Sequence, residues 1–136
     1  MKKGLRIRLY PNNKQINTLN IIFGHTRFVY NYFLDYSKNS KDYKYTNWSK
    51  MLTTLKNSDD TIFLKEADKF ALQNSLKNLN RAYENFFSKR ANEPVFKKKH
   101  NAQSYRTNYT NNNIVLYEKG IKLPKLGIIN VNMVKI

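Results

Sequence analysis

Residues 68–94, DKFALQNSLKNLNRAYENFFSKRANEP, contain the most regular helical pattern of the chain. Apolar residues recur there at steps of four, three, four and three, which places them on one face of an α-helix. They are Leu72, Leu76, Leu79, Tyr83 and Phe86. Asp68 stands at the position of an N-cap, and Pro94 marks the far limit. The pattern predicts a long amphipathic helix, around which the rest of a helical region can pack.

Three shorter amphipathic stretches precede this helix. The first contains Ile16, Leu19, Ile22 and Phe23, and the second contains Phe28, Val29, Tyr32, Phe33 and Tyr36. Gly24 lies between them, so the outline is that of a helix-turn-helix, although any pair of antiparallel helices has the same outline. A polar connection, residues 37–44, leads to a third stretch with Thr46 as its expected cap. Its apolar face contains Trp48, Met51, Leu52 and Leu55.

Strand patterns stand at both ends of the chain. Residues 5–9 alternate apolar and basic side chains, which is typical of a half-buried strand, and Pro11 ends them. The asparagines that follow, Asn12 and Asn13, are expected N-caps. Residues 114–117 and 121–123 flank a turn and predict a hairpin, and residues 129–133 alternate again. We expect the first strand to pair with the C-terminal strands, which gives an α+β fold with a helical insert.

Composition restricts the function more than the fold. The chain has 136 residues, with 25 Lys and Arg against 9 Asp and Glu, and a formal net charge of +16. Such an excess of positive charge is typical of proteins with a polyanionic partner. Cysteine is absent, which excludes disulfides, zinc ribbons and thiol nucleophiles. With no apolar run long enough for a membrane span and no signal-peptide pattern, we expect a cytoplasmic, nucleoid-associated protein with no membrane partner.

Catalytic patterns are weak. Asp59, Asp60, Glu66 and Asp68 form the main acidic neighbourhood, and helix capping explains them better than a metal site. His25, expected at a turn, and His100, after a lysine run, have no partner at triad or metal-ligand spacing, so we expect both to be solvated or to face phosphate. We therefore expect no catalytic residue, no metal and no cofactor.

Nucleic-acid binding is the better supported function. Arg6 and Arg8 share one face of the first strand, with Lys2 and Lys3 just upstream. The segment 89–125 is strongly basic and contains the aromatic residues Phe96, Tyr105 and Tyr109, a combination suited to phosphates and bases. On the long helix, a polar face contains Lys69, Gln73, Lys77 and Asn80, side chains that can contact base edges. A solvated strand face, a basic linker and a solvated helix face are the alternatives.

Several segments together resemble the TnpB (OrfB) proteins of insertion-sequence transposons. Residues 4–11 with Gln15 resemble the start of that family, and residues 23–31 (FGHTRFVYN) resemble its next element. Residues 71–73, Leu79, residues 81–82 and residues 86–87 follow in the family's order. So do residues 94–99 (PVFKKK), 103–106 (QSYR) and 121–127 (IKLPKLG).

The resemblance implies an N-terminal wedge β-barrel that is interrupted by a helical recognition domain. On that basis residues 1–11 would form the first wedge strand, 12–94 the recognition insert, and 95–136 a basic segment with the returning wedge strands. The partners implied are a structured guide RNA and double-stranded DNA. The family's RuvC-type nuclease domain and zinc ribbon have no counterpart in these residues, so we expect no nuclease activity from this chain.

The resemblance also assigns individual residues. The implied DNA-motif contacts are Tyr45, Ser49, Lys69, Phe70, Gln73, Thr107 and Asn108. The basic residues implied for RNA or phosphate are Lys2, Lys3, Arg6, Arg8, Arg90, Lys97, Lys98 and Lys99. Two alternatives stay open: a standalone DNA-binding regulator, and a non-functional remnant of a transposase that associates through open wedge strands.

Overall fold

The computed structural model describes residues 4–132 and divides the chain into two compact units. One unit comprises residues 1–20 and 108–136, and the other comprises residues 21–107. Among the described residues the helices are α1 (Asn13–Ser40), α2 (Tyr45–Lys56) and α3 (Lys69–Phe87), with a 3₁₀ helix at Ile62–Glu66. The strands are β1 (Leu9–Tyr10), β2 (Val115–Leu116), β3 (Gly120–Leu123) and β4 (Gly127–Val131). The fold is α+β, as the sequence predicts.

The apolar stripe of α3 forms the centre of the helical unit. Leu72, Leu76 and Leu79 are fully buried, together with Phe33 from α1 and Trp48 from α2. Each such side chain stabilises the fold by about 1.5–3 kcal/mol relative to an exposed one. The predicted cap of α3 is confirmed, since the Asp68 carboxylate accepts a hydrogen bond of 3.0 Å from the backbone N–H of Phe70.

Polar groups join the helices within this core. The hydroxyls of Ser37 on α1 and Tyr83 on α3 lie 2.6 Å apart, both buried. The Ser75 hydroxyl on α3 donates to the Thr26 carbonyl on α1 over 2.8 Å. Because a buried polar group without a partner destabilises the fold, these pairs fix how α3 is aligned against α1.

The predicted break at Gly24 is wrong, because α1 runs without interruption from Asn13 to Ser40. Gly24 does not adopt a positive φ, and a glycine inside a helix costs only about 1 kcal/mol. The apolar residues on both sides of it, Ile22 and Val29, are buried in the same core, so the continuous helix recovers that cost.

The N-cap that the sequence predicts at Asn12 is confirmed at the start of α1. Asn12 and Gln15 bond reciprocally: the Gln15 N–H donates to the Asn12 side chain over 2.8 Å, and the Asn12 N–H donates to the Gln15 side chain over 2.9 Å. This is a capping box. The predicted cap of α2 by Thr46 is wrong, since α2 begins at Tyr45 after Lys44, which makes no side-chain cap bond.

The other unit contains an antiparallel sheet with the strand order β1-β4-β3-β2. The predicted hairpin is confirmed, with Val115 opposite Lys122, and β1 pairs with β4 as expected, with Leu9 opposite Val131. The first strand is shorter than predicted. Because β4 ends at Val131, residues 5–8 have no strand partner among the described residues. The sheet is open within this part of the chain, and Met133 of the predicted last strand lies outside it.

No helix between residues 4 and 132 is both long and apolar enough to cross a membrane. Over the same residues, no group of three His, Cys, Asp or Glu side chains could hold a metal ion.

Candidate nucleic-acid interface

Gln73 lies at the centre of a polar cluster between α2 and α3. Its side-chain oxygen accepts a hydrogen bond from the Tyr45 hydroxyl over 2.8 Å and another from the Ser49 hydroxyl over 3.2 Å. Tyr45 and Ser49 are four residues apart on α2, so one face of that helix presents both hydroxyls to α3. Three residues that the resemblance implies for DNA contact are therefore in direct contact with one another.

These two bonds orient the amide of Gln73. An amide oxygen has two lone pairs, and the two hydroxyls occupy both. The Nε2 group keeps its two N–H donors, and neither has a hydrogen-bond partner among the described residues. Gln73 is half-buried, so part of this residue is accessible to a ligand, and its amide keeps two N–H donors.

Lysine side chains surround this cluster. Lys69 and Lys77 stand one turn before and one turn after Gln73 on α3, and both are exposed. The Lys77 ammonium lies 6.0 Å from the centre of the Tyr45 ring, and the Lys69 ammonium lies 5.2 Å from that of Phe70. Lys56 near the end of α2 interacts with Lys69: burial lowers the pKa of Lys56, and the positive charge of Lys69 lowers it further. Positive charges grouped on one surface favour the approach of an anion.

The loop before α2 holds Tyr45 in position. The Asp42 carboxylate accepts hydrogen bonds from the Lys44 N–H over 3.1 Å and from the Tyr36 hydroxyl over 2.9 Å. The Trp48 indole donates to the Asp42 carbonyl over 3.0 Å. Because Trp48 is fully buried, this loop is fixed to the core, and α2 starts at a defined point.

The remaining residues that the resemblance implies for DNA contact have no hydrogen bond to Gln73 among the described residues. Phe70 is half-buried beneath the Lys69 ammonium. Thr107 follows a segment that the Asn74 side chain holds to α3 by a bond of 2.8 Å to the Arg106 carbonyl. The Thr107 hydroxyl is buried, with no hydrogen-bond partner in the described part of the chain. Asn108 belongs to the other unit, where its carbonyl accepts a bond from Asn113.

The basic residues implied for RNA fall into two groups. Arg6 and Arg8 are exposed beside the sheet, and the Arg8 guanidinium lies 5.6 Å from the centre of the Tyr10 ring. Lys2 and Lys3 lie outside the described residues. In the helical unit, Arg90 and residues 97–99 are exposed.

Lys97 is the most constrained member of the second group. Its backbone N–H donates to the Asn31 side chain over 2.8 Å, and its carbonyl accepts from the same side chain over 2.9 Å. Its ammonium lies 4.5 Å from the centre of the Tyr30 ring. The PVFKKK segment is therefore fastened to α1, whereas Lys98 and Lys99 keep exposed side chains.

The expectation that His25 is solvated at a turn is wrong. It lies inside α1, with its side chain only 16% exposed and its ring 5.0 Å from that of Phe63. Burial lowers its pKa, although the carboxylate of Glu66, 3.8 Å away, acts in the opposite direction. The long apolar face of α1, which continues past Gly24, is the reason for this burial.

Lys56 was missed by the sequence reasoning. It stands seven residues after Ser49, two helical turns further on the same face of α2, and this spacing is the signal that could have found it.

Comparisons with known proteins identify relatives of this chain. Residues 1–44 match the model of a helix-turn-helix domain of the OrfB/IS605 type. The Escherichia coli (strain K12) protein named "Putative RNA-guided DNA endonuclease InsQ" is 34% identical over 139 aligned residues, which cover 92% of this chain and 32% of that protein. A Streptomyces pristinaespiralis protein named "Putative RNA-guided DNA endonuclease" is 32% identical, covering 71% of this chain and 25% of its own length.

A shorter relative is also similar. The "Virulence protein VsdF" of Salmonella dublin is 32% identical over 118 residues, which are 74% of this chain and 96% of that protein. The chain thus spans about a third of InsQ, about a quarter of the Streptomyces protein and nearly all of VsdF. On the matching family model and these relatives, the chain belongs to the TnpB/OrfB-type family of insertion-sequence transposon proteins.

Proposed function

We propose that this chain binds two nucleic acids without cleaving them: a short motif in duplex DNA through the face between α2 and α3, and a structured guide RNA through its basic segments. The observation that carries the proposal is the Gln73 cluster, in which two hydroxyls fix an amide whose N–H groups stay available. The InsQ relative, named as an RNA-guided DNA endonuclease, is consistent with both partners.

The geometry favours a particular kind of base contact. Because the oxygen of Gln73 already accepts two hydrogen bonds, the amide acts as a donor and reads acceptors on base edges. In the major groove these are O4 of thymine, N7 of adenine, and N7 and O6 of guanine. Lys56, Lys69 and Lys77 then hold the phosphates on either side and fix the register of the helix on the duplex.

The guide RNA is assigned to the remaining basic surfaces. Arg6 and Arg8 beside the sheet, and Arg90 with residues 97–99 in the helical unit, supply exposed cations. We assign Lys2 and Lys3 to the same role. In this assignment β1–β4 belong to a wedge barrel, residues 12–94 form the recognition insert, and Thr107 and Asn108 add to the DNA contact.

The test begins with chain that has been stripped of nucleic acid at high salt. Duplexes with a randomised segment are selected for binding, and the selected motif is then titrated beside a matched scrambled duplex. The RNA from the right end of the transposon is titrated beside an unrelated structured RNA of equal length. Each titration is repeated over a salt series, because binding that rests only on phosphate contacts weakens steeply with salt.

We expect one motif to emerge from the selection, and we expect the right-end RNA to keep its advantage as salt rises. Equal binding of all ligands that disappears with salt would mean charge without recognition, and the proposal would be wrong. Tight duplex binding with no preference for the right-end RNA would favour a standalone DNA-binding regulator.

A further inference from the structure

A cleft lies on the side of α3 opposite the Gln73 cluster. Ser75 and Asn78 line it, and Ser75 is two residues, or about 200° around the helix axis, from Gln73. The second wall is α1, which contributes Phe23 and Arg27. The third wall is residues 97–106, a segment with no helix or strand that arches over both helices.

The arch is anchored at both of its ends. Asn31 on α1 holds the backbone of Lys97 by two hydrogen bonds of 2.8 and 2.9 Å, and Asn74 on α3 holds the carbonyl of Arg106 over 2.8 Å. Between the anchors, Lys98 and Gln103 line the cleft with exposed side chains. The cleft is therefore a built feature of the helical unit, with walls that are fixed to the core.

Charge makes this cleft suited to an anion. Arg27, Lys98 and Arg106 line it, and no Asp or Glu is among the lining residues that the structure describes. The Arg27 guanidinium donates to the Gln103 side chain over 3.5 Å, and its other N–H groups have no hydrogen-bond partner within residues 4–132. Guanidinium groups bind phosphate through paired N–H donors, which makes Arg27 and Arg106 the expected phosphate contacts.

The same cleft also has an aromatic wall. The rings of Phe23 and Tyr105 lie 5.6 Å apart in an edge-to-face pair, and both line the cleft. Burial, together with the negative charge of Asp68, raises the pKa of Tyr105 to about 12. Aromatic side chains of this kind support a base, and the amides of Asn78 and Gln103 can bond to its edge.

We propose that this cleft binds a single unpaired nucleotide, with its base against Phe23 and Tyr105 and its phosphate on Arg27 and Arg106. The inference rests on the proposed function, since it assigns a second nucleic-acid site, on the opposite face of α3.

The test uses the full chain and an eight-nucleotide oligouridine with one central 2-aminopurine, made as RNA and as DNA. Fluorescence anisotropy measures its affinity, and 2-aminopurine emission reports stacking of the base. We expect Arg106→Gln, at an exposed residue, to weaken single-strand binding about tenfold. Arg81→Gln, which removes an exposed cation of α3 outside the cleft, should change it less than twofold.

A preference for the RNA or the DNA form identifies which strand supplies the nucleotide. Tyr105→Leu should remove the change in 2-aminopurine emission, and if that variant does not melt cooperatively, the Arg106→Gln titration decides alone. Equal losses in Arg106→Gln and Arg81→Gln would overturn the inference, because charge alone would then explain binding. If the wild type binds its selected duplex but no single strand, the inference fails while the proposed function stands. If it binds neither duplex nor structured RNA, the proposed function itself fails.

Discussion

Replacing Gln73 tests the proposed reading of DNA at a single side chain. Gln73→Ala removes both N–H donors, whereas Gln73→Glu keeps an oxygen that can accept from Tyr45 and Ser49 and removes only the donors. Glu also places a negative charge between Lys69 and Lys77. The two variants therefore separate loss of the donor from loss of the local structure.

The structure sets the size of the expected loss of base discrimination. Two N–H groups are available on Gln73, and losing the contact to one base pair costs about 1–3 kcal/mol of discrimination. This corresponds to about a 5- to 150-fold change in the ratio of dissociation constants. Folding should change little, because Tyr45 and Ser49 are half-exposed residues whose hydroxyls can bond to water once Gln73 is replaced. Gln73→Glu should bind every duplex more weakly than Gln73→Ala, because its carboxylate repels phosphates.

The assay is competition binding at constant salt. Each variant is tested with the selected duplex and with a set of duplexes that differ from it at one base pair. Thr54→Ala serves as the matched control, since Thr54 is exposed on the opposite face of α2 and its hydroxyl donates to the Lys50 carbonyl of the same helix. We expect discrimination to fall at one position of the motif in both Gln73 variants. If Gln73→Ala discriminates at every position as the wild type does, the assigned role of this helix face is wrong.

Three further predictions concern stability. Asp68→Ala removes the cap on the Phe70 N–H and should lower the free energy of unfolding by about 1 kcal/mol in urea titrations. Asp68→Ser should recover most of this stability. Equal stability of Asp68→Ala and the wild type would contradict the capping role. Gly120→Ala would place a Cβ 2.8 Å from a methyl of Ile128 and should lower the melting temperature. Gly4→Ala is the control, because its Cβ would meet nothing within 4 Å. A shift of the same size in both variants would refute the steric argument. Burial lowers the pKa of His25 below its ordinary 6.5, so the unfolded chain binds a proton at a higher pH than the folded chain. The free energy of unfolding should therefore fall as pH drops below 6.5. An unchanged pH slope in His25→Gln would assign that loss of stability to other groups.

The sequence predicts most of the secondary structure because local patterns determine it. The stripe of α3, its Asp68 cap and the C-terminal hairpin are confirmed. The pairing of the first strand with the last is also confirmed, although it is a long-range contact that strand patterns at both ends only suggested. The break at Gly24 was wrong for a physical reason. A glycine lowers helix stability only slightly, and the buried residues on both sides of it gain more from one continuous helix than the glycine costs.

The candidate site could also be predicted only in part from the sequence. The residue types and their helical spacing already placed Lys69, Gln73 and Lys77 on one face of a helix. That Tyr45 and Ser49 bond to Gln73, and that Lys56 faces Lys69, depend on how α2 packs against α3. Periodicity along one helix contains no information about its neighbour. Spacing could therefore place Lys56 on the same face of α2 as Ser49, but it could not show that this face packs against α3.

The sequence by itself determined the charge, the helices and strands, and the family resemblance, because each of these is a property of composition or of short-range order. Only the tertiary structure decided that the amide of Gln73 presents donors, that His25 is buried, and that residues 97–106 arch over a basic cleft. These features depend on side chains that are distant in sequence and become neighbours only when apolar surface is buried and the buried polar groups find partners.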